Sequence, residues 1–80
     1  MYFVYVLQNK EGAFYKGFTN NLERRFAEHT RGQTQTTRKM SGLKIVYIEK
    51  YITIEEASKR EKYFKSAAGR RFLKKKLSPP

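Results

Sequence analysis

The sequence predicts a small α+β domain built on a three-stranded sheet. Residues 2–7, 13–18 and 43–52 are rich in β-branched, aromatic and aliphatic side chains, a composition typical of strands. Two other stretches begin with helix-capping signals and carry apolar residues at helical spacing. A chain of 80 residues without cysteine has room for one thin core, so we predict a single domain over residues 1–80.

The first two strands are predicted to form an antiparallel hairpin. Residues 2–7 are continuously apolar or aromatic, which is typical of a strand buried on both faces. The polar turn cluster at 8–12 connects them to the second strand at 13–18. Tyr5 and Tyr15 are therefore expected on neighbouring strands.

The first helix is predicted to begin at a cap formed by Asn20 and to end near Thr30. Asn20 and Glu23 have the spacing of a capping box. Arg25 and His29 are one helical turn apart, so their side chains should share one edge of the helix.

A loop, the third strand and a second helix are predicted next. Residues 32–42 contain almost nothing to bury and are interpreted as a mobile basic loop. The strongest strand signal follows at 43–52, and Thr53 with Glu56 forms a second capping box. One face of the helix that this box opens is predicted to carry Ala57, Glu61, Phe64 and Ala68.

The last segment is predicted to be a short basic helix. Gly69 either ends the second helix or bends it into this final one over residues 70–77. Its apolar residues, Phe72, Leu73 and Leu77, are expected to dock on the core while the Lys and Arg side chains stay in water.

The charge of the chain favours a polyanionic partner. Eighteen Lys and Arg against seven Asp and Glu give a net charge of +11, which attracts nucleic acid above all and disfavours self-association. Acidic membranes and a merely solvated basic surface are the alternatives. The residues show neither a membrane span nor a signal peptide, and no cysteine, so we predict a cytoplasmic monomer without membrane association.

Five residues have the chemistry that phosphodiester hydrolysis requires. The reaction needs a group that activates water, a cation for the phosphoryl oxygens and usually a metal held by a carboxylate. The candidates for these tasks are Tyr5, Tyr15, Arg25, His29 and Glu61.

Each candidate also has a structural explanation. The tyrosines can be core aromatics with satisfied hydroxyls, Arg25 a solvated helix charge, and His29 a structural or surface residue. A carboxylate at Glu61 is costly to bury beside apolar neighbours unless it meets a cation or a metal. The alternative is a pair between Glu61 and Lys65, one turn further along the helix.

Taken together, these residues resemble the GIY-YIG nuclease superfamily over nearly the whole chain. Phe3-Val4-Tyr5 stands where the family has Gly-Ile-Tyr, and Tyr15-Lys16-Gly17 stands where it has Tyr-Ile-Gly. The order and spacing continue with Thr19-x-Asn21-Leu22-x-x-Arg25-x-x-x-His29 and Glu56-Ala57-x-x-x-Glu61-x-x-x-Lys65. The chain is most similar to the small, single-domain bacterial members.

The resemblance implies a fold, a cofactor and a role for each candidate. The fold would be α+β, with a three-stranded antiparallel sheet flanked by two to three helices. Tyr5 and Tyr15 would face the site, and one of them, left open here, would activate the attacking water. Arg25 would stabilise the transition state, His29 matches a catalytic histidine of some branches, and Glu61 would bind one Mg²⁺ or Mn²⁺ ion.

The implied activity is metal-dependent hydrolysis of nucleic acid, with DNA favoured over RNA. Family enzymes usually take their targeting from an attached recognition domain, which these residues do not show, so we expect structure-selective contact or a protein partner for targeting. The expected phosphate contacts are Arg38, Lys39, Lys65, Arg70, Arg71, Lys74, Lys75 and Lys76. The rival hypothesis is a non-catalytic nucleic-acid-binding module that retains the fold, favoured by the charge and by the absence of an Asn in residues 70–76.

Overall fold

The computed structural model describes residues 1–30 and 42–77. Along the chain its elements are β1 (Tyr2–Gln8), β2 (Phe14–Thr19), α1 (Leu22–Thr30), β3 (Lys44–Tyr51), α2 (Ile54–Lys65) and α3 (Ala67–Lys76). The strands form one antiparallel sheet in the order β2-β1-β3. The predicted α+β architecture is therefore confirmed. Within the two described ranges, no helix has the length and apolar character needed to cross a membrane.

The central strand, β1, supplies buried side chains to both faces of the sheet. On one face, Val4 and Val6 are buried against Ala57, Phe64 and Leu73 from α2 and α3, and these five residues form the core. Successive side chains of a strand point to opposite faces, so the alternate residues of β1 serve the other face. They are buried too, which confirms the prediction for this strand.

Helix α1 begins one residue later than predicted. The side-chain Oδ1 of Asn21 accepts from the backbone N–H of Arg24 at 3.1 Å, so Asn21 is the N-cap. The Thr19 hydroxyl oxygen accepts from the Asn21 N–H at 3.1 Å, and this turn fixes Asn21 at the cap position. The expected capping box at Asn20 and Glu23 was therefore wrong.

Helix α2 begins at the predicted capping box. The Thr53 hydroxyl oxygen accepts from the Glu56 backbone N–H at 3.2 Å, and the Glu56 carboxylate accepts from the Thr53 N–H at 3.4 Å. Both reciprocal bonds of the box are present, so this prediction is confirmed.

The junction between α2 and α3 lies at Ser66, and the predicted break at Gly69 was wrong. The Ser66 N–H donates to the Tyr63 carbonyl at 3.0 Å, and its hydroxyl oxygen accepts from the Gly69 N–H at 3.2 Å. Ser66 thus ends one helix and caps the next. Gly69 is buried in the first turn of α3, where a Cβ would overlap the Tyr63 carbonyl oxygen. Ala68, expected on the apolar face of α2, belongs to α3 and is exposed.

A network around Glu49 holds α2 against β3. Arg60 donates to the two carboxylate oxygens of Glu49 at 2.8 and 3.1 Å, and the hydroxyls of Tyr47 and Tyr51 donate to them at 2.7 Å each. Burial raises the pKa of Glu49, but these hydrogen bonds outweigh burial and leave the pKa below its ordinary value. The ionised carboxylate therefore fixes the orientation of the helix that carries Glu61.

Candidate active site

Two tyrosines and the histidine form a cluster of rings on the face of the sheet opposite the core. The Tyr5 hydroxyl oxygen lies 2.9 Å from His29 Nε2. The His29 ring centroid lies 4.6 Å from that of Tyr15 and 5.8 Å from that of Tyr5. The predicted placement of Tyr5 and Tyr15 on neighbouring strands is confirmed, and α1 brings His29 onto both rings.

Gly17 makes room for the Tyr5 side chain. In the β1–β2 register Gly17 lies directly opposite Tyr5. A Cβ at Gly17 would come within 2.5 Å of the Tyr5 hydroxyl oxygen. The glycine of the second tripeptide is therefore required for the close approach of the Tyr5 ring to β2.

Arg25 joins the ring cluster through the Tyr5 hydroxyl. Its guanidinium acts on the Tyr5 hydroxyl, and this interaction is the main reason why the pKa of Arg25 is raised. Its Nη1 also donates to Glu28 Oε1 at 3.1 Å. Sequence reasoning did not single out Glu28, although its spacing of three residues from Arg25 in a helix was an available signal. Arg25 is thus held in place from two sides.

The buried groups of the cluster are neutral at neutral pH. His29 is only 1% exposed, and burial, followed by the nearby charge of Arg25, lowers its pKa. Burial raises the pKa of Tyr5 and outweighs the lowering effect of the Arg25 guanidinium. Because the phenol keeps its proton and the imidazole is neutral, we assign that proton to the 2.9 Å bond with His29 Nε2.

Glu61 acts on this cluster through its charge and is also paired. Its side chain is 18% exposed, and its Oε2 is 3.4 Å from the Lys65 Nζ. Its charge acts on the Tyr5 phenol and raises the pKa of that group. The pair with Lys65 is thus confirmed, and the role of Glu61 as a metal ligand stays a prediction.

The donor set suits a metal that needs few protein ligands. Residues 1–30 and 42–77 contain no group of three or more metal-ligating side chains. Glu61 would therefore be the single carboxylate ligand. Mg²⁺ commonly keeps several waters and binds through one or two carboxylates together with substrate phosphates. The residues present fit such an ion.

The predicted phosphate contacts are dispersed. Arg38 and Lys39 lie outside the described residues. Lys75 and Lys76 border a groove beside Phe72. Arg70, Arg71, Lys74 and the Glu61 partner Lys65 are exposed, and Lys65 keeps 56% of its side chain in solvent.

One basic residue that sequence reasoning missed as a contact is Lys16. Together with Arg70 and Lys74 it lines a cavity of about 470 Å³. We call this the hairpin cavity, because its other walls come from the β1–β2 hairpin and the end of α3: Gln8, Gly12, Phe14 and Leu77. The alternation of charged and aromatic residues in β2 was the signal that could have indicated it.

Comparison with known proteins identifies the family of the chain. Residues 1–76 match the family model described as the GIY-YIG catalytic domain. The UPF0213 protein CPE1444 of Clostridium perfringens is 41% identical over 66 residues, covering 81% of this chain and 71% of that protein. The UPF0213 protein OB0043 of Oceanobacillus iheyensis is 35% identical over 77 residues, covering 95% of this chain and 87% of that protein. These names specify no activity.

A solved structure shows the same fold. The solution NMR structure of the UPF0213 protein BH0048 from Bacillus halodurans matches with a TM-score of 0.60 and 28% identity, covering 99% of this chain and 89% of that one. The GIY-YIG domain is a nuclease domain, and its members generally use divalent metal ions. The match along residues 1–76 and the identity to small UPF0213 proteins show that this chain belongs to the GIY-YIG catalytic-domain family.

Proposed function

We propose that the protein is a divalent-metal-dependent endonuclease that hydrolyses DNA phosphodiester bonds and selects substrates by structure rather than by sequence. The observation that supports this most directly is the array of Tyr5, His29 and Arg25. The Tyr5 hydroxyl oxygen lies 2.9 Å from His29 Nε2, the charge of Arg25 acts on both groups, and Tyr15 lies against the same imidazole. Glu61 lies within electrostatic range of the array. The array thus contains a proton acceptor and a fixed cation beside a carboxylate.

Tyr5 and His29 have the protonation states of a proton relay. The Tyr5 phenol donates to the neutral His29 imidazole. As the Tyr5 oxygen takes a proton from the attacking water, its own proton moves to His29 Nε2. This order of transfer avoids a free phenolate, which burial disfavours.

Arg25 and a cation held by Glu61 would stabilise the negative charge of the phosphate. The Arg25 guanidinium stays charged at any working pH and presents a planar set of donors for phosphoryl oxygens. Its pair with Glu28 holds it beside Tyr5. A divalent cation at the Glu61 carboxylate would add Lewis-acid stabilisation of the phosphoryl group.

Structure selectivity follows from the kind of contact that the surface offers. The exposed cations of α2 and α3, such as Lys65 and Arg70, meet phosphates, and phosphate contacts carry no sequence information. The net charge of +11 adds affinity for any nucleic acid strand.

The test is a cleavage assay of the wild type beside two matched variants. Glu61→Gln removes the proposed metal ligand, and Glu55→Gln removes an exposed carboxylate from the same helix. The substrates are linear, nicked, flapped and four-way DNA and single-stranded RNA, each with Mg²⁺ and with Mn²⁺. We expect Glu55→Gln to cleave like the wild type and Glu61→Gln to be slower by about a hundredfold or more.

Two results would contradict the proposal. Equal products from Glu61→Gln and the wild type would mean that the activity does not use this carboxylate. Binding without products on every substrate and metal would identify a non-catalytic nucleic-acid-binding module, the rival that the charge also favours.

A further inference from the structure

The hairpin cavity lies on a different side of the sheet from the ring cluster. Phe14 and Lys16 alternate with Tyr15 along β2, so they point to the opposite face. Phe14 packs against the core, and α3 closes the cavity with Arg70 and Leu77. The cavity is therefore a second concave site that the proposed reaction does not use.

The charged side chains that line this cavity in the described part of the chain are all positive. Lys16, Arg70 and Lys74 line it, and no acidic side chain does so in the described part of the chain. Burial lowers the pKa of Lys16, and the nearby charges of Arg70 and Lys65 lower it further. Cations held together in this way repel one another, and a bound anion relieves the repulsion.

The remaining walls suit a flat ring rather than a bare anion. Phe14 supplies an aromatic surface, Leu77 an aliphatic one, and Gln8 an amide. Every nucleobase has a face that stacks on an aromatic side chain. The volume of about 470 Å³ lies in the usual range for small-molecule sites. The walls thus combine phosphate-binding and base-binding chemistry.

Lys65 connects the cavity to the candidate active site. Its Nζ is 3.4 Å from Glu61, and its charge also acts on Lys16. Lys16 itself lies between Tyr15 and Gly17, whose positions define the site on the other face of β2. A strand that binds at Glu61 therefore has cations along its path to the cavity.

We propose that the hairpin cavity binds one unpaired nucleotide of the substrate strand, with its base against Phe14 and Leu77 and its phosphate at Lys16 and Arg70. The inference rests on the proposed function, because that function makes the strand a substrate. It adds a specificity: the protein favours strands with an unpaired nucleotide next to the scissile phosphate.

The test measures binding without divalent metal, so that it does not depend on cleavage. Fluorescence anisotropy in EDTA compares a short single-stranded oligothymidylate with a blunt duplex. Arg70→Gln removes a cavity charge, and Arg71→Gln makes the same change at the next residue of α3, which is exposed and outside the cavity. We expect Arg70→Gln to weaken single-strand binding about tenfold and duplex binding no more than Arg71→Gln does.

A second variant tests the base contact. Phe14→Leu keeps an apolar side chain against the core but removes the aromatic face. We expect it to weaken single-strand binding about fivefold and to leave duplex binding unchanged. Thermal unfolding shows whether it folds, and if it does not, Lys16→Gln joins Arg70→Gln as the deciding pair.

Two outcomes would overturn the inference. Equal losses for Arg70→Gln and Arg71→Gln on both probes would mean that the basic surface acts uniformly. If thymidine monophosphate bound as tightly as the strand and displaced it, the cavity would be assigned to a free nucleotide.

The cavity inference and the nuclease proposal can also fail separately. If the binding pattern is as expected but no substrate is cleaved, the nuclease proposal is contradicted and the assignment of the cavity to strand binding is supported.

Discussion

At the scale of single residues, Tyr5 connects the chemistry of the site to its burial. Its hydroxyl oxygen lies 2.9 Å from His29 Nε2, and the charge of Arg25 acts on it. Burial keeps both the phenol and the imidazole neutral, so in the proposed relay the phenol would donate and the imidazole would accept. The kind of residue was predictable from the sequence, but the balance between burial and the Arg25 charge required the fold.

Replacing Tyr5 by Phe tests the relay. The ring stays in place while the hydroxyl is lost, so we expect cleavage to fall by about 10²–10⁴-fold and the free energy of unfolding by about 1–3 kcal/mol. Tyr63→Phe is the control, because it removes a hydroxyl from an exposed ring that packs against Phe64 and Phe72. Cleavage rates and urea unfolding are measured for both, and equal effects on cleavage would contradict the relay.

The lowered pKa of His29 predicts a pH dependence of stability. The unfolded chain takes up a proton at the ordinary histidine pKa of about 6.5, whereas the folded chain does so only at lower pH. Stability is therefore fully present above about pH 6.5 and is lost as the pH falls towards the folded pKa, at up to about 1.4 kcal/mol per unit. Urea unfolding between pH 7.5 and 5 should show this loss in the wild type.

His29→Gln is the matched variant for this prediction. Glutamine does not titrate, so its free energy of unfolding should stay nearly constant over the same range. Glu49, whose folded pKa is also lowered, contributes only near and below its ordinary pKa of 4.5. A pH dependence that persists in the variant would assign the effect to another group.

At the scale of elements, the junction of α2 and α3 shows that a local sequence pattern does not decide where one helix ends and the next begins. The box at Thr53 and Glu56 was predicted correctly because both partners are adjacent in sequence. Gly69 was misinterpreted because a glycine near a helix end either stops the helix or allows a close approach. Only the packing of α3 against the end of α2 distinguishes these two uses.

Gly69→Ala tests this junction. In an open helix the change would stabilise by about 1 kcal/mol, but here a Cβ meets the Tyr63 carbonyl oxygen and the Phe64 backbone. We expect the variant to lose about 1–3 kcal/mol instead. Ala68→Gly, on the exposed neighbour, should lose no more than about 1 kcal/mol. Thermal unfolding decides, and a more stable Gly69→Ala would contradict the packing argument.

At the scale of the whole molecule, the order of elements and the residues of the site could be predicted, but their distances could not. The strand patterns predicted three strands, and the spacing of Tyr5, Arg25 and Glu61 indicated the family before any fold was known. The cavity around Lys16 was missed because it joins a hairpin to the far end of the chain. The alternation along β2 indicates that Lys16 shares a face with Phe14, but a single sequence does not show that the end of the chain packs beside that face.

The charge of the molecule predicts a steep salt dependence of binding. Each phosphate contact to a single strand contributes about −0.7 to the slope of log affinity against log salt. Four contacts would therefore weaken binding about fiftyfold between 50 and 200 mM salt. Anisotropy with oligothymidylate measures this, and Arg70→Gln should make the slope shallower by about 0.7. An affinity that does not change with salt would contradict phosphate-led binding.

The position of Tyr5 on β1 also determines when this residue becomes exposed as the protein unfolds. Val4, Tyr5, Val6 and Leu7 are at most 1% exposed, and β1 is paired on both sides. Amides of such a strand exchange with deuterium only when the whole fold opens. Local unfolding that leaves the sheet intact therefore does not expose the Tyr5 hydroxyl. On heating, the amides of β1 should therefore stay protected from exchange up to the global unfolding transition and lose their protection with it.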